Sequence, residues 1–247
     1  VTSAWLEQAL HSSDQFQDVE IKSITCENIG EGTGIFGEIG LLRVSYMNQG
    51  QAPDSLVVKL PCIEPENLAV AQALGIYARE VAFYQTVASS SSLRVPQCFY
   101  SFMGDDGRFV LLIENLSNDY VVGDQIKGAT HEQVLSAIDI LAGFHAEWWE
   151  NPNLDALDWL PNPDDPAYMA AVPGIYRAGL PVLVTEWDSK VPAESIEVAQ
   201  LLEPKFEQLM LLFAGNPHTF SHADTRLDNL FFSKSDEHDI AFIDFQL

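Results

Sequence analysis

The chain opens on a short amphipathic stretch and then changes period. Residues 1–20 read as a helix and a polar connection. Ile21 to Ile29 reads as a strand running into a glycine-rich turn, Gly30 to Gly37. Across Glu38 to Met47, Gly40, Leu42, Val44 and Tyr46 alternate with Ile39, Leu41, Arg43 and Ser45, the period-two signature of a strand. Ser55 to Leu60 predicts a third strand, closed by Pro61. From Asn67 to about Ala88 the apolar positions recur at helical spacing, with Asn67 as the expected N-cap. Val95 to Met103 and Arg108 to Glu114 are expected to form a hairpin that turns at Gly104-Asp105-Asp106-Gly107.

After Asn115 the pattern becomes helical. Thr130 and Gln133 form a capping box at the head of a helix from His131 to Glu150. Its expected apolar stripe is Val134, Ile138, Leu141, His145 and Trp148. Proline-rich loops follow from Asn151 to Pro166, then helical segments near Ala167 to Ala178, Pro181 to Asp188 and Ala193 to Ala214. Strands first and helices second predicts an α+β protein in two lobes with a cleft between them. The expected boundaries are 1–115 for an antiparallel sheet with its helix, 116–129 for a linker, and 130–247 for a mainly helical lobe.

Composition narrows the partners. The chain has 247 residues, 47% of them hydrophobic, as a globular protein requires. Twelve basic against 36 acidic residues give a net charge of −24. That argues against nucleic acid and anionic membrane, whose phosphates call for Lys and Arg. A solvated acidic surface is the first reading of the charge; a cationic substrate is the narrower one. Cys26, Cys62 and Cys98 are an odd, widely spaced set, which suits buried thiols in a reducing compartment. No apolar run approaches the ~18 residues of a membrane span. The N-terminal residues have no basic and apolar regions of a signal peptide, so a cytoplasmic location is expected. The chain begins with Val1 and stops at Leu247, soon after Asp244, and reads as a segment lacking a C-terminal portion.

Several residues carry candidate chemistry. Gly32 to Gly37 matches G-x-G-x-x-G but enters a strand, where a dinucleotide fingerprint would open a helix. A hairpin loop whose N–H groups cover phosphates, with Gly32 and Gly34 central, stands beside an ordinary hairpin turn. Lys59 sits inside the apolar run Leu56-Val57-Val58-Lys59-Leu60 and needs a partner or a surface position. Val57 shares its face. Glu80 lies on the apolar stripe of the following helix with Ile76, Tyr77, Phe83, Tyr84 and Val87, where a carboxylate is costly unless a cation meets it. Lys59 is the candidate partner, and Arg79, with Glu80 at the stripe's margin, is the local alternative. Phe109 to Glu114 leads through Asn115-Leu116 into the linker. The latest motif is the densest: His222-Ala223-Asp224-Thr225-Arg226-Leu227-Asp228-Asn229, then Ile243-Asp244-Phe245. Two acids and an amide at this spacing suit a base beside a hydroxyl and two ligands for a hard cation. Arg226 is placed to reach a transferring phosphoryl group. A polar loop with Asp and Asn in turn roles is the plainer reading. His222 reads as a loop brace, and His145 as a satisfied core histidine.

The order of these motifs resembles the aminoglycoside-phosphotransferase and choline-kinase-like superfamily. It is more narrowly similar to the ecdysteroid-kinase-like branch, in a bacterial-type member. The branch resemblance rests on Ser55 to Pro61, on Leu141-Ala142-Gly143-Phe144-His145-Ala146-Glu147-Trp148-Trp149, and on His222 to Phe232. The resemblance implies a protein-kinase-like two-lobe fold. It also implies ATP-dependent phosphorylation of a small-molecule hydroxyl with Mg2+. Asp224 would then be the base, and Asn229 and Asp244 would hold the metal. Lys59 would meet the α/β-phosphates, Glu80 would position Lys59, and backbone groups near Glu114 to Leu116 would read the adenine edge. Two positions depart from the protein-kinase pattern: Ala223 stands where an Arg follows the His, and Gln246 replaces the Gly of D-F-G. Two other functions are weighed against this one. One is a catalytically silent nucleotide-binding module. The other is a metal-dependent hydrolase built on His222, Asp224 and Asp244, which leaves Lys59 and Glu80 without a role.

Overall fold

The computed structural model describes residues 1–29, 36–215 and 217–246. Gly32 and Gly34, the expected phosphate-loop glycines, lie outside the described residues. The chain forms two compact units, Val1–Glu147 with Ser221–Leu247, and Trp148–Phe220.

The first unit is built on an antiparallel five-stranded sheet of order β1-β2-β3-β5-β4. The strands are β1 (Glu20–Asn28), β2 (Gly37–Asn48), β3 (Ser55–Pro61), β4 (Cys98–Met103) and β5 (Phe109–Glu114). β3 is central, so Lys59 lies opposite Ile39 on β2 and Leu111 on β5. Side chains alternate between faces along a strand. Leu56 and Val58 therefore join Leu42, Val44 and Leu112 in a core with Leu6 and Leu10 of α1 (Ser3–Leu10). Each large side chain fully withdrawn from water there contributes about 1.5–3 kcal/mol. Val57 and Lys59 point to the other face. There α3 (Ile76–Thr86) presents Glu80, and Tyr77 stacks on Phe109 with ring centroids 4.2 Å apart.

The expected single helix from Asn67 to Ala88 is two helices, α2 (Pro65–Ala73) and α3. Pro65, not Asn67, marks the start, since its fixed φ suits the first helical turn and its missing N–H has no partner to lose there. The break falls at Gly75, which adopts φ 67°, a left-handed conformation that ends one helix and lets the chain restart at a new angle.

A second antiparallel sheet, β6-β7-β8, joins Tyr120–Val122, Leu230–Ser233 and Ile240–Phe242. Leu230 pairs with Phe242, so the residues just before β7 and just after β8 emerge at one end. That register gathers the two late sequence motifs. α4 (His131–Trp148) carries the expected capping box: Gln133 N donates to Thr130 Oγ1, and Thr130 N donates to Gln133 Oε1. Its buried side differs from the expected stripe. Ala137, Phe144 and Trp148 are buried, whereas Val134 and Ile138 are 44% and 55% exposed. The helix is apolar over a wide arc, and periodicity alone does not choose the side.

In the second unit α5 runs unbroken over Pro166–Glu186, where two segments were expected. Pro173 and Pro181 interrupt its hydrogen-bond ladder without ending it, because proline's φ is itself helical. The opposite correction applies to Ala193–Ala214, which splits into α6 (Ala193–Leu202) and α7 (Phe206–Ala214) at a 3-10 turn containing Pro204. Tyr176 stacks on Phe206 at 4.3 Å and donates to Ala199 O at 2.7 Å. Against the expectation that no apolar run approaches a membrane span, α5 is long and apolar enough to cross one by length and composition, with mean hydropathy 1.3 over its most apolar window. The α+β class, with an antiparallel sheet first and helices after it, stands as expected.

Candidate active site

The site lies within the first unit, on the α3 face of the sheet. Lys59 Nζ donates to Glu80 Oε1 at 2.5 Å and to Asp244 Oδ1 at 2.8 Å. Lys59 is 9% exposed and Glu80 1%. Burial alone would push the ammonium's pKa down, but the charges of Asp244 and Glu80 outweigh it and hold it above its ordinary value. Burial raises the Glu80 carboxyl, with Lys59 opposing and Asp244 adding to the rise. Asp244 goes the other way. Burial would raise it, yet Lys59, Gln246 and His222 together hold it below the usual carboxylate range. The buried cation thus keeps Asp244 ionised. Arg79 Nη1 donates to Gln246 O at 3.1 Å.

A ring stack supports this cluster. Phe245 lies flat on Phe83 of α3 with centroids 3.7 Å apart, and on its other contact meets the His222 ring at 4.4 Å. His222 fixes the neighbouring loops. Its Nδ1 accepts from Asp224 N at 3.3 Å, and its Nε2 donates to Ile243 O at 2.8 Å. These two partners select the neutral Nε2–H tautomer, and burial lowers the imidazole's pKa accordingly. His222 is therefore the brace expected of it. Ile243 N closes the connection by donating to Asn229 O at 3.1 Å.

The second cluster is Asp224, Asn229 and Arg226. Asn229 Nδ2 donates to Asp224 O at 2.9 Å and to Asp224 Oδ2 at 3.0 Å. Arg226 Nε stands 3.6 Å from the same carboxylate oxygen. Asn229 is buried, and its amide oxygen faces no donor among these bonds. Ala223 and Asp244 both hold positive φ, 65° and 75°. Non-glycine residues rarely adopt that conformation, and here it brackets the chemical residues.

Glu114 ends β5, and Leu116 opens the 3-10 turn that follows it. The Glu114 carboxylate is committed to Arg94 Nη2 at 2.6 Å and Gln97 N at 3.0 Å, and its own N–H donates to Gln97 O at 2.9 Å. The Leu116 side chain is buried against Tyr120 and Ala241. Val57 shares the Lys59 face two residues along β3. Arg94 and Gln246 escaped the sequence reading. Arg94 carries a weak signal, as one of only 12 basic residues next to an apolar strand. Gln246 was read only as a departure from glycine.

Among the described residues no group of three or more His, Cys, Asp or Glu side chains forms a ready metal site. One ionised carboxylate and one amide oxygen, Asp244 and Asn229, are a donor set for a hard cation that takes its remaining ligands from phosphate and water. The residues present fit magnesium in that sense.

No protein-family model matches the chain, and no curated protein matches it. Solved structures do. An aminoglycoside phosphotransferase, APH(2'')-IIIa, with GDP and kanamycin aligns over 98% of this chain and 72% of its own, at 14% identity and a TM-score of 0.49. A GDP complex of a point mutant of the aminoglycoside 2'-phosphotransferase-IIIa aligns over 99% of this chain and 72% of its own, with the same identity and TM-score.

Proposed function

We propose that this chain is an ATP-dependent phosphotransferase acting on a hydroxyl of a small molecule, within the aminoglycoside-phosphotransferase and choline-kinase-like superfamily and nearest its ecdysteroid-kinase-like branch. The observation that carries the reading is the buried Lys59–Glu80–Asp244 cluster. Holding a cation between two carboxylates is costly in stability. The cost is intelligible if Lys59 is to meet phosphates and Asp244 a metal.

Each residue then has a task. Glu80, packed on α3, keeps the Lys59 ammonium at a fixed place on the sheet, where it meets the α/β-phosphates. Asn229 and Asp244 would hold Mg2+, which when bound neutralises phosphate charge. Asp224 has one oxygen engaged by Asn229 and flanked by Arg226, which leaves the other for an acceptor hydroxyl. In the transfer the hydroxyl oxygen bonds to the γ-phosphorus, the bond from that phosphorus to the bridging oxygen breaks, and the hydroxyl proton passes to Asp224. Arg226 faces the phosphoryl charge that develops. The glycines Gly32 and Gly34 and the backbone from Glu114 to Leu116 complete the nucleotide contacts. Residues 1–115 supply the nucleotide lobe, 116–129 the linker and 130–247 the catalytic lobe. The net charge of −24 admits a cationic acceptor beside the plainer reading of a solvated acidic surface. A cytoplasmic location accords with three free cysteines, although Cys26 is exposed and Cys98 half-buried where buried thiols were expected.

The test is nucleotide turnover with ATP or GTP, Mg2+ and a panel of hydroxyl acceptors, cationic ones first. Asp224→Ala should abolish acceptor-dependent diphosphate release while keeping nucleotide affinity. Retained turnover in that variant would remove Asp224 from the base role. Phosphate release from substrates without nucleotide would favour the hydrolase, and nucleotide binding without any turnover the silent module.

A further inference from the structure

Asp244 has two oxygens, and both are taken. Oδ1 accepts from Lys59 Nζ at 2.8 Å, and Oδ2 accepts from Gln246 Nε2 at 2.5 Å. Gln246 is itself fixed. Its carbonyl accepts from the guanidinium of Arg79, which is buried, and its N–H donates to Asp244 O at 3.0 Å. The chain thus folds back so that the glutamine amide caps the carboxylate it follows. The positive φ of Asp244 makes that turn.

A divalent cation needs what Gln246 occupies. A cation and an N–H donor compete for the same lone pairs on a carboxylate oxygen. Magnesium has little latitude, because it demands near-ideal octahedral geometry at about 2.0–2.1 Å. The Oδ1 side offers no substitute, since the Lys59 ammonium stands there and repels a second cation.

We propose that Gln246 is a positioning residue that sets the metal affinity of Asp244: its amide holds Oδ2 and must swing away for a divalent cation to bind there. The inference rests on the phosphotransferase reading, which makes Asp244 a ligand. A glycine at this position has no amide to compete, so the departure noted in the sequence has a consequence for metal affinity. Displacing one hydrogen bond to a charged group weakens metal binding by about ten-fold or more.

The test is titration of the wild-type chain, Gln246→Met and Gln246→Ala with Mn2+ and with Mg2+ in the presence of a non-hydrolysable ATP analogue. Calorimetry and the Mn2+ spin-resonance signal report binding. Met keeps the length of the side chain without its amide, and Ala removes both. Both variants should bind the metal about ten-fold tighter than wild type, with metal-free nucleotide affinity unchanged. Equal or weaker metal affinity in the variants, with measurable binding in wild type, overturns the proposal and leaves the phosphotransferase reading standing. Weaker binding would mark Gln246 as a ligand through its own oxygen. Absence of metal binding in all three chains overturns both.

Discussion

Lys59→Met removes the cation that stands between the buried Glu80 carboxylate and the part-buried Asp244 carboxylate. Glu80 Oε1 and Asp244 Oδ1 touch the same nitrogen at 2.5 and 2.8 Å. Two oxygens sharing one nitrogen lie at most about 5 Å apart, where two unit charges at an effective dielectric near 20 repel by about 3 kcal/mol. Removing one partner of a buried ion pair costs about 3–5 kcal/mol, so the two estimates agree. In a chain of this size that lowers the thermal midpoint by about 6–12 °C. The deficit depends on pH. Without the cation, burial and mutual repulsion raise a carboxyl above its unfolded value, so the folded state holds a proton that the unfolded state has released. Stability of the variant therefore falls as pH rises above about 4, and its deficit is largest at neutral pH and closes toward about pH 5. Thermal denaturation followed by circular dichroism across that range reads the effect. Lys59→Met/Glu80→Gln should recover part of the loss, since one of the two charges is gone. A deficit below about 1 kcal/mol at neutral pH, the worth of an exposed pair, would refute the reasoning. So would a deficit that stays flat between about pH 5 and 8.

Other consequences can be checked separately. At Gly123 an added Cβ would stand 2.5 Å from Leu227 O, a backbone atom between Asp224 and Asn229. Gly123→Ala should cost about 1–3 kcal/mol, and on the proposed function turnover should fall because the loop that carries Asp224 and Asn229 must shift. Unchanged stability and turnover would show that the loop yields freely. His222 is buried neutral with its pKa depressed, so its contribution to stability is full above about pH 6.5 and is lost as pH falls through the lower folded value. His222→Gln should flatten that acid slope in a denaturation series; an identical slope in the variant would assign it to other groups. Among the described residues the buried Tyr84 hydroxyl has no hydrogen-bond partner, so Tyr84→Phe should be neutral or stabilising by up to about 1 kcal/mol. A loss larger than that would reveal a bound partner for the hydroxyl.

Local chemistry made part of this site legible in the sequence. A Lys inside an apolar strand and a Glu on an apolar helical stripe each call for a partner or a marginal position, and their meeting satisfies both at once. The closeness of Asp224 and Asn229 follows from their spacing within one short loop. Pairing of Lys59 with Asp244 does not follow, because it depends on the β7–β8 register and on where α3 lands, neither of which periodicity encodes. Secondary structure failed where one residue type admits two outcomes. Gly75 ended a helix, although glycine within an apolar-periodic run is often tolerated. Pro173 and Pro181 did not end one, while the segment containing Pro204 did. On α4 apolar residues surround much of the helix, and only packing decides that Ala137 and Phe144 turn inward while Ile138 does not. Gln246 was visible in the sequence, but its capping of Asp244 depends on a positive φ that no pattern announces.

The proposed function requires that Lys59 and Asp244 form a metal–nucleotide site. The most direct measurement is the thermal midpoint of the wild-type chain, Lys59→Met and Asp244→Asn with ATP plus Mg2+, with ATP alone and with Mg2+ alone. At about 100-fold over its dissociation constant the ligand adds about 2.7 kcal/mol. That should raise the wild-type midpoint by about 5–10 °C. The account predicts this rise for wild type only when ATP and Mg2+ are both present, and its loss in the two variants. No rise in wild type, or an equal rise in Lys59→Met and Asp244→Asn, would contradict it.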